Sequence, residues 1–94
     1  MRAILLLRER LVLGERRFAD IVIWRVPSSV RGSSHTLKYS LAFVVDDVCV
    51  LRFDNEAGKG DHKHIGEREV PYAFQGTDRL IEDFWTEVDN WRVE

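Results

Sequence analysis

Leu5, Leu7, Leu11 and Leu13 fall on one parity, with Glu9 among them, while Arg8 and Arg10 occupy the other. That alternation fits a half-buried strand better than a helix. The run from Ile4 to Leu13 is followed by Gly14-Glu15-Arg16-Arg17 and by a second run, Phe18 to Val26, that Pro27 ends, which predicts a β-hairpin. Ile21-Val22-Ile23-Trp24 is apolar at consecutive positions, as in a strand covered on both faces for part of its length. Leu37, Tyr39, Leu41, Phe43 and Val45 again share a parity, and Val48, Val50 and Arg52 follow Asp46-Asp47. A second hairpin is expected, because Asp tolerates the left-handed backbone of a two-residue turn.

Between and after the hairpins the pattern changes. Pro27 to Ser34 reads as a surface loop, and from Asn55 to Gly66 the periodicity gives way to Gly58, Gly60 and Gly66 among charged residues, which predicts a second loop. Pro71-Tyr72-Ala73-Phe74 is too short to classify, and Pro71 confines any strand there to an edge or an end. Thr77 is the expected N-cap of a helix whose apolar positions Leu80, Ile81, Phe84, Trp85, Val88 and Trp91 recur at spacings of three and four. The predicted order is β-β-loop-β-β-loop-α. It describes an α+β fold in which one C-terminal helix packs on one face of a four-stranded antiparallel sheet. The opposite face, carrying Arg8, Arg10 and Arg25, is then open to solvent or a ligand, subject to strand register.

The 94 residues suit a single domain, residues 1–94, and exclude a multidomain enzyme. No apolar stretch approaches the roughly 20 residues of a membrane span. Met1 and Arg2 precede no cleavable signal pattern, so a cytoplasmic location is expected. One cysteine rules out an internal disulfide or a multi-cysteine zinc site, and Cys49, within a predicted strand, is expected in the core. The net charge of −2 conceals an asymmetry. Residues 1–40 carry eight Lys and Arg against three Asp and Glu, a net of +5, and residues 41–94 carry six against thirteen, a net of −7. Arg8, Arg10, Arg25 and Lys38 are therefore candidates for a phosphate-binding surface, against the ordinary alternative of a solvated face. The acidic helix offers a docking face for a basic partner. A chain of this size leaves much surface exposed, so association with a partner or a second copy would help it.

The candidate chemistry lies in Asp54-Asn55-Glu56-Ala57-Gly58-Lys59-Gly60-Asp61-His62-Lys63-His64. Two histidines beside lysines and carboxylates match the needs of RNA cleavage through the ribose 2′-hydroxyl: a base, an acid and charge to stabilise the phosphorane. On that reading His62 and His64 are base and acid, Lys59 and Lys63 stabilise the phosphoryl oxygens, Asp61 orients or charges an imidazole, and no metal or cofactor is needed. If the segment is extended, His62 and His64 point one way and Asp61 and Lys63 the other. A plain charged loop is the simplest alternative. A second is metal binding, with His62-x-His64 joined by Asp61, Asp54 or His35 around zinc or manganese. Gly58-Lys59-Gly60 lacks P-loop spacing, and no nucleophile-elbow pattern surrounds the serines near His35. Trp85 and Trp91 belong to the helix's apolar stripe, leaving Trp24 as the tryptophan open to base stacking.

Phe53-Asp54-Asn55-Glu56-Ala57-Gly58-Lys59-Gly60-Asp61-His62-Lys63-His64-Ile65-Gly66, with Glu69, Pro71-Tyr72 and Phe74 downstream, resembles the TumE family of toxin–antitoxin proteins. Trp24-Arg25-Val26-Pro27, Gly32-Ser33-Ser34-His35 and Lys38-Tyr39-Ser40-Leu41 resemble the family's upstream half, so the likeness spans almost the whole chain. Phe53 stands where Tyr is expected and Val70 where an acidic residue is common. The resemblance implies the toxin of a type II pair, neutralised by an antitoxin that is typically a helix-turn-helix DNA-binding protein. It also puts Asp54, Asn55, Gly58, Lys59, Gly60, Asp61, His62 and His64 in the candidate site. Two non-enzymatic alternatives stand beside it: a protein that blocks RNA or another target by binding, and an interaction module without toxicity.

Overall fold

A computed structural model describes residues 2–56 and 58–91. Met1, Ala57 of the glycine-rich motif and residues 92–94 lie outside the described residues. Six strands, β1 (Ile4–Gly14), β2 (Arg17–Arg25), β3 (Leu37–Val45), β4 (Val48–Asp54), β5 (His62–Ile65) and β6 (Arg68–Pro71), precede one helix, α1 (Thr77–Asn90). They form a single antiparallel meander in the order β1-β2-β3-β4-β5-β6. The α+β class and the C-terminal helix are as expected, but the sheet has six strands rather than four. β5 and β6 were hidden because His-Lys-His-Ile and Arg-Glu-Val-Pro are short and largely polar, and their places are set by pairing, β5 with β4 and β6 with β5, rather than by apolar alternation. Pro71 sits at the end of edge strand β6, where its missing N–H costs nothing.

The two long hairpins close as their sequences require. Arg16 (φ 62°) closes the β1–β2 turn, and Asp46 (φ 50°) and Asp47 (φ 66°) both occupy the left-handed region between β3 and β4. The Asp46 N–H donates to the Arg16 carbonyl, and an Arg16–Asp46 ion pair of 3.1 Å ties the two turns together.

One face of the sheet carries Ala19, Ile21 and Ile23 from β2, Tyr39, Leu41, Phe43 and Val45 from β3, and Leu51 and Phe53 from β4, all buried with Leu80 and Phe84 of α1. Phe53 meets Tyr72 and Phe84 edge-on, with ring centroids 5.1 and 5.9 Å apart. The Tyr72 hydroxyl anchors the helix by donating to Asp83 at 2.7 Å, and Arg79 pairs with the same carboxylate within the helix at 2.9 Å. Gly76 occupies the N-cap position with no side-chain cap, so Thr77 is the first helical residue rather than the cap. Trp85 and Trp91 pack against the core, as the apolar stripe implied.

Strand register assigns the residues of the opposite, open face. Arg8, Val22, Ser40, Asp54, His62 and Pro71 form one cross-strand row, and Arg10, Asp20, Ala42, Arg52, His64 and Glu69 form the next. Two expectations are corrected here. Arg25 pairs with Ile4 and Leu37 and shares the parity of Ile21 and Ile23, so it does not lie with Arg8 and Arg10. Cys49 is exposed rather than buried, because a register shift after Phe43 pairs it with Val44 and breaks the alternation read from Val48 and Val50.

Candidate functional site

The loop before β3 and the glycine-rich segment before β5 are held together by a polar clamp. Asp61 accepts hydrogen bonds from the Ser33 hydroxyl, the Tyr39 hydroxyl and His35 Nε2, each at 2.7 Å. The Leu37 N–H donates to His35 Nδ1 at 3.1 Å, so Nδ1 is the acceptor and Nε2 carries the proton given to Asp61. His35 also stacks on Phe74 with centroids 3.7 Å apart. Asn55, fully buried, completes the clamp. Its oxygen accepts from the Tyr39 N–H at 3.0 Å, and its amide donates to the Leu37 carbonyl at 2.7 Å and to Ser33 at 3.2 Å. Burial alone would raise the Asp61 pKa, but the bonds from Tyr39, His35 and Ser33 outweigh it and hold the carboxyl below its ordinary range. Burial, followed by the Asp61 charge and hydrogen bond, pushes the Tyr39 hydroxyl well above its usual value.

Backbone contact reinforces the clamp. Gly32 and Gly60 both have positive φ, 90° and 87°, and their backbones touch. A Cβ on Gly60 would lie 2.8 Å from the Gly32 carbonyl oxygen, and one on Gly32 would collide with the Gly60 nitrogen. Only glycine satisfies both the left-handed conformation and the close approach at these positions.

On the open face, the clamp delivers β5 so that three ligand-type side chains converge. Asp54, His62 and His64 each offer a donor atom, all within 4.8 Å of one another. The His62 and His64 rings meet edge-on with centroids 4.9 Å apart. His62 is 4% exposed, and its Nδ1 lies 3.0 Å from the Gly60 carbonyl, which can only accept, so Nδ1 carries a proton. Its other nitrogen, Nε2, faces Asp54 Oδ1 at 3.3 Å and Glu69 Oε1 at 3.8 Å. Asp54 Oδ1 also accepts from the Glu56 N–H at 3.2 Å. Lys59 reaches Glu69 at 3.4 Å. A cleft of about 260 Å³ opens here, lined by Lys59, Asp61, His62, Glu69, Val70 and Pro71. A second, of about 220 Å³, is lined by Cys49, Arg52, His64 and Gly66.

The structure therefore sorts the residues singled out from the sequence. His62 and His64 come together, with His64 more exposed than His62, and Lys59 lines the cleft beside His62. Asp61 lines the same cleft but spends its hydrogen bonds on Ser33, His35 and Tyr39, so the imidazole it orients is His35. Lys63 points to the helix side, where it pairs with Glu87 at 2.8 Å and lies 5.7 Å from the Phe53 ring centroid. Arg8 and Arg10 share the open face with the histidines, at its far end. Arg10 is engaged there by both Asp20 oxygens, at 2.7 and 2.8 Å. Lys38 pairs with Trp24 on the same face, one row further along. Sequence reasoning missed Arg52 and Glu69 as the cross-strand neighbours of His64 and did not single out Asp54 as the partner of His62. The available signal was the i, i+2 spacing of Arg52 with Asp54 and of His62 with His64.

A small antiparallel sheet with a helix on one face and a histidine–carboxylate cluster on the other defines a class of compact α+β proteins with a single-faced polar site. A family model described as Toxin TumE matches residues 2–92, and the chain belongs to that family. Membership points to a toxin–antitoxin system, with an antitoxin as partner. No curated protein and no solved structure matches the chain. Among the described residues no helix is long and apolar enough to cross a membrane.

Proposed function

We propose that this protein is the toxin of a type II pair and that it acts in the cytoplasm on RNA, cleaving it at the His62/His64 centre by acid–base chemistry. The observation that carries the reading is the meeting of two imidazoles, His62 buried and His64 more exposed, beside a cleft and flanked by Arg52 and Lys59. On this reading His64, the more exposed ring, takes the ribose 2′-hydroxyl proton. The 2′ oxygen then attacks phosphorus, the bond to the 5′ oxygen breaks, and His62 supplies the proton that the leaving oxygen needs, giving a 2′,3′-cyclic phosphate. Lys59 and Arg52 offset the charge that builds on the phosphoryl oxygens. Arg8 lies four strands from His62 in the same row, roughly 19 Å away at ordinary strand spacing. A single strand of RNA crossing the open face would meet both. The partner that silences this activity is, on this reading, a helix-turn-helix antitoxin.

A second reading, target blocking without chemistry, draws on the burial of His62 and the engagement of both its ring nitrogens. The two are separated by incubating purified protein with RNA in chelator. Cleavage that falls by about 100-fold or more in His64→Ala supports the acid–base reading. Growth inhibition with intact RNA, unchanged in that variant, supports blocking.

A further inference from the structure

The geometry points to a divalent transition-metal site, of the zinc class, formed by Asp54, His62 and His64. Because His62 Nδ1 is engaged by the Gly60 carbonyl, Nε2 is the nitrogen that faces Asp54 Oδ1. The two atoms can share one cation, either the proton that cleavage draws on or a metal ion that replaces it. The separation of 3.3 Å is wide for a charge-assisted hydrogen bond, which spans about 2.7–2.9 Å and which the His35–Asp61 pair attains at 2.7 Å. It does match a coordination edge: two donors each about 2.05 Å from a tetrahedral centre lie about 3.3 Å apart.

The surroundings are those of a ligand set. The backbone carbonyl on His62 Nδ1 fixes ring orientation and tautomer, and the Glu56 N–H steadies the carboxylate of Asp54. Asp54 and His62 are buried on paired strands, His64 is less buried beside them, and the three donor atoms lie within 4.8 Å of one another. Three protein donors leave a fourth position to solvent. Neither His35 nor Asp61 belongs to the set, since their donor atoms are used in the clamp.

This inference concerns the site on which the RNA reading rests, and an ion held there would withdraw both imidazole lone pairs from proton transfer. Zinc is therefore expected to inhibit cleavage. The test uses untagged protein stripped of metal, titrated with zinc ion alone by calorimetry and with cobalt(II) alone by absorption. The expected result is one ion per chain, with the absorption bands of tetrahedral cobalt. Affinity should fall by about 100-fold or more in Asp54→Asn and in His64→Ala, with a urea titration confirming that each variant folds. Absence of stoichiometric binding by the wild type, or binding unchanged in His64→Ala, overturns the site. RNA cleavage in chelator reports separately: its persistence without zinc binding defeats only the metal site, and its loss on chelation alongside zinc binding defeats only the acid–base reading.

Discussion

Among the described residues two aspartate–histidine pairs, His35–Asp61 and Asp54–His62, meet at the adjacent residues Asp61 and His62, and they are built for different tasks. Asp61–His35 is closed: the carboxylate accepts three hydrogen bonds of 2.7 Å, and both imidazole nitrogens have partners of the right sense. Asp54–His62 is open. Its atoms stand 3.3 Å apart, one imidazole nitrogen is committed to a carbonyl, and the other faces oxygens with a second histidine alongside. The closed pair has no donor atom left for a ligand, whereas the open pair can hold a proton or a metal ion between its facing atoms. The same residue types thus serve as a structural clamp on one side of β5 and as a reactive centre on the other, because adjacent strand residues face opposite ways.

That contrast predicts which substitutions cost stability and which cost function. The largest stability loss should come from Asp61→Ala, which strands Ser33, His35 and Tyr39 together. About 3–5 kcal/mol is expected in urea unfolding, and a loss below about 1 kcal/mol would contradict the clamp. Gly60→Ala comes next at about 1–3 kcal/mol, since the new Cβ meets the Gly32 backbone, which cannot move aside as a flexible side chain would. His64→Ala should change stability by no more than about 0.5 kcal/mol while removing activity. A substitution at the open pair that unfolds the chain as readily as one at the closed pair would erase the distinction between them.

The smallest effect concerns pH and the helix anchor. The Tyr72 hydroxyl bond lowers the Asp83 pKa, burial opposes it, and Arg79 adds to it, with a net shift downward. A carboxyl whose folded pKa lies below its unfolded value contributes stability above the unfolded value of about 3.9, and that contribution disappears as pH falls through the folded pKa. Asp83→Asn should therefore flatten the acid side of the urea midpoint profile slightly and leave the neutral side offset. An identical acid slope in the variant would show that the anchor is not ionic.

Much of the scaffold was legible in the sequence because it rests on local rules. Alternation in Leu37 to Val45, the Asp46-Asp47 turn and the three-and-four spacing from Leu80 to Trp91 each specify an element without reference to distant residues. β5 and β6 were not legible, since four mostly polar or mixed residues become a strand only when a neighbouring strand offers an edge, β4 to β5 and β5 to β6. The site was half legible. The motif named His62 and His64, and their shared parity was foreseeable, but the parting of Asp61 from Asp54 was not. It depends on Ser33, His35 and Tyr39, which lie 22 to 28 residues away and become neighbours of Asp61 only through the β3–β4–β5 register and the touching glycines. Cys49 failed for a similar reason, since a register shift in the β3–β4 pairing reverses a parity that composition cannot show.

The most direct measurement of the central claim compares wild type and His64→Ala as purified, folded proteins incubated with RNA in excess chelator. Products ending in 2′,3′-cyclic phosphate with the wild type, and at least about a 100-fold slower rate with the variant, are the predicted result. RNA left whole by the wild type, or cut equally fast by both, would contradict it.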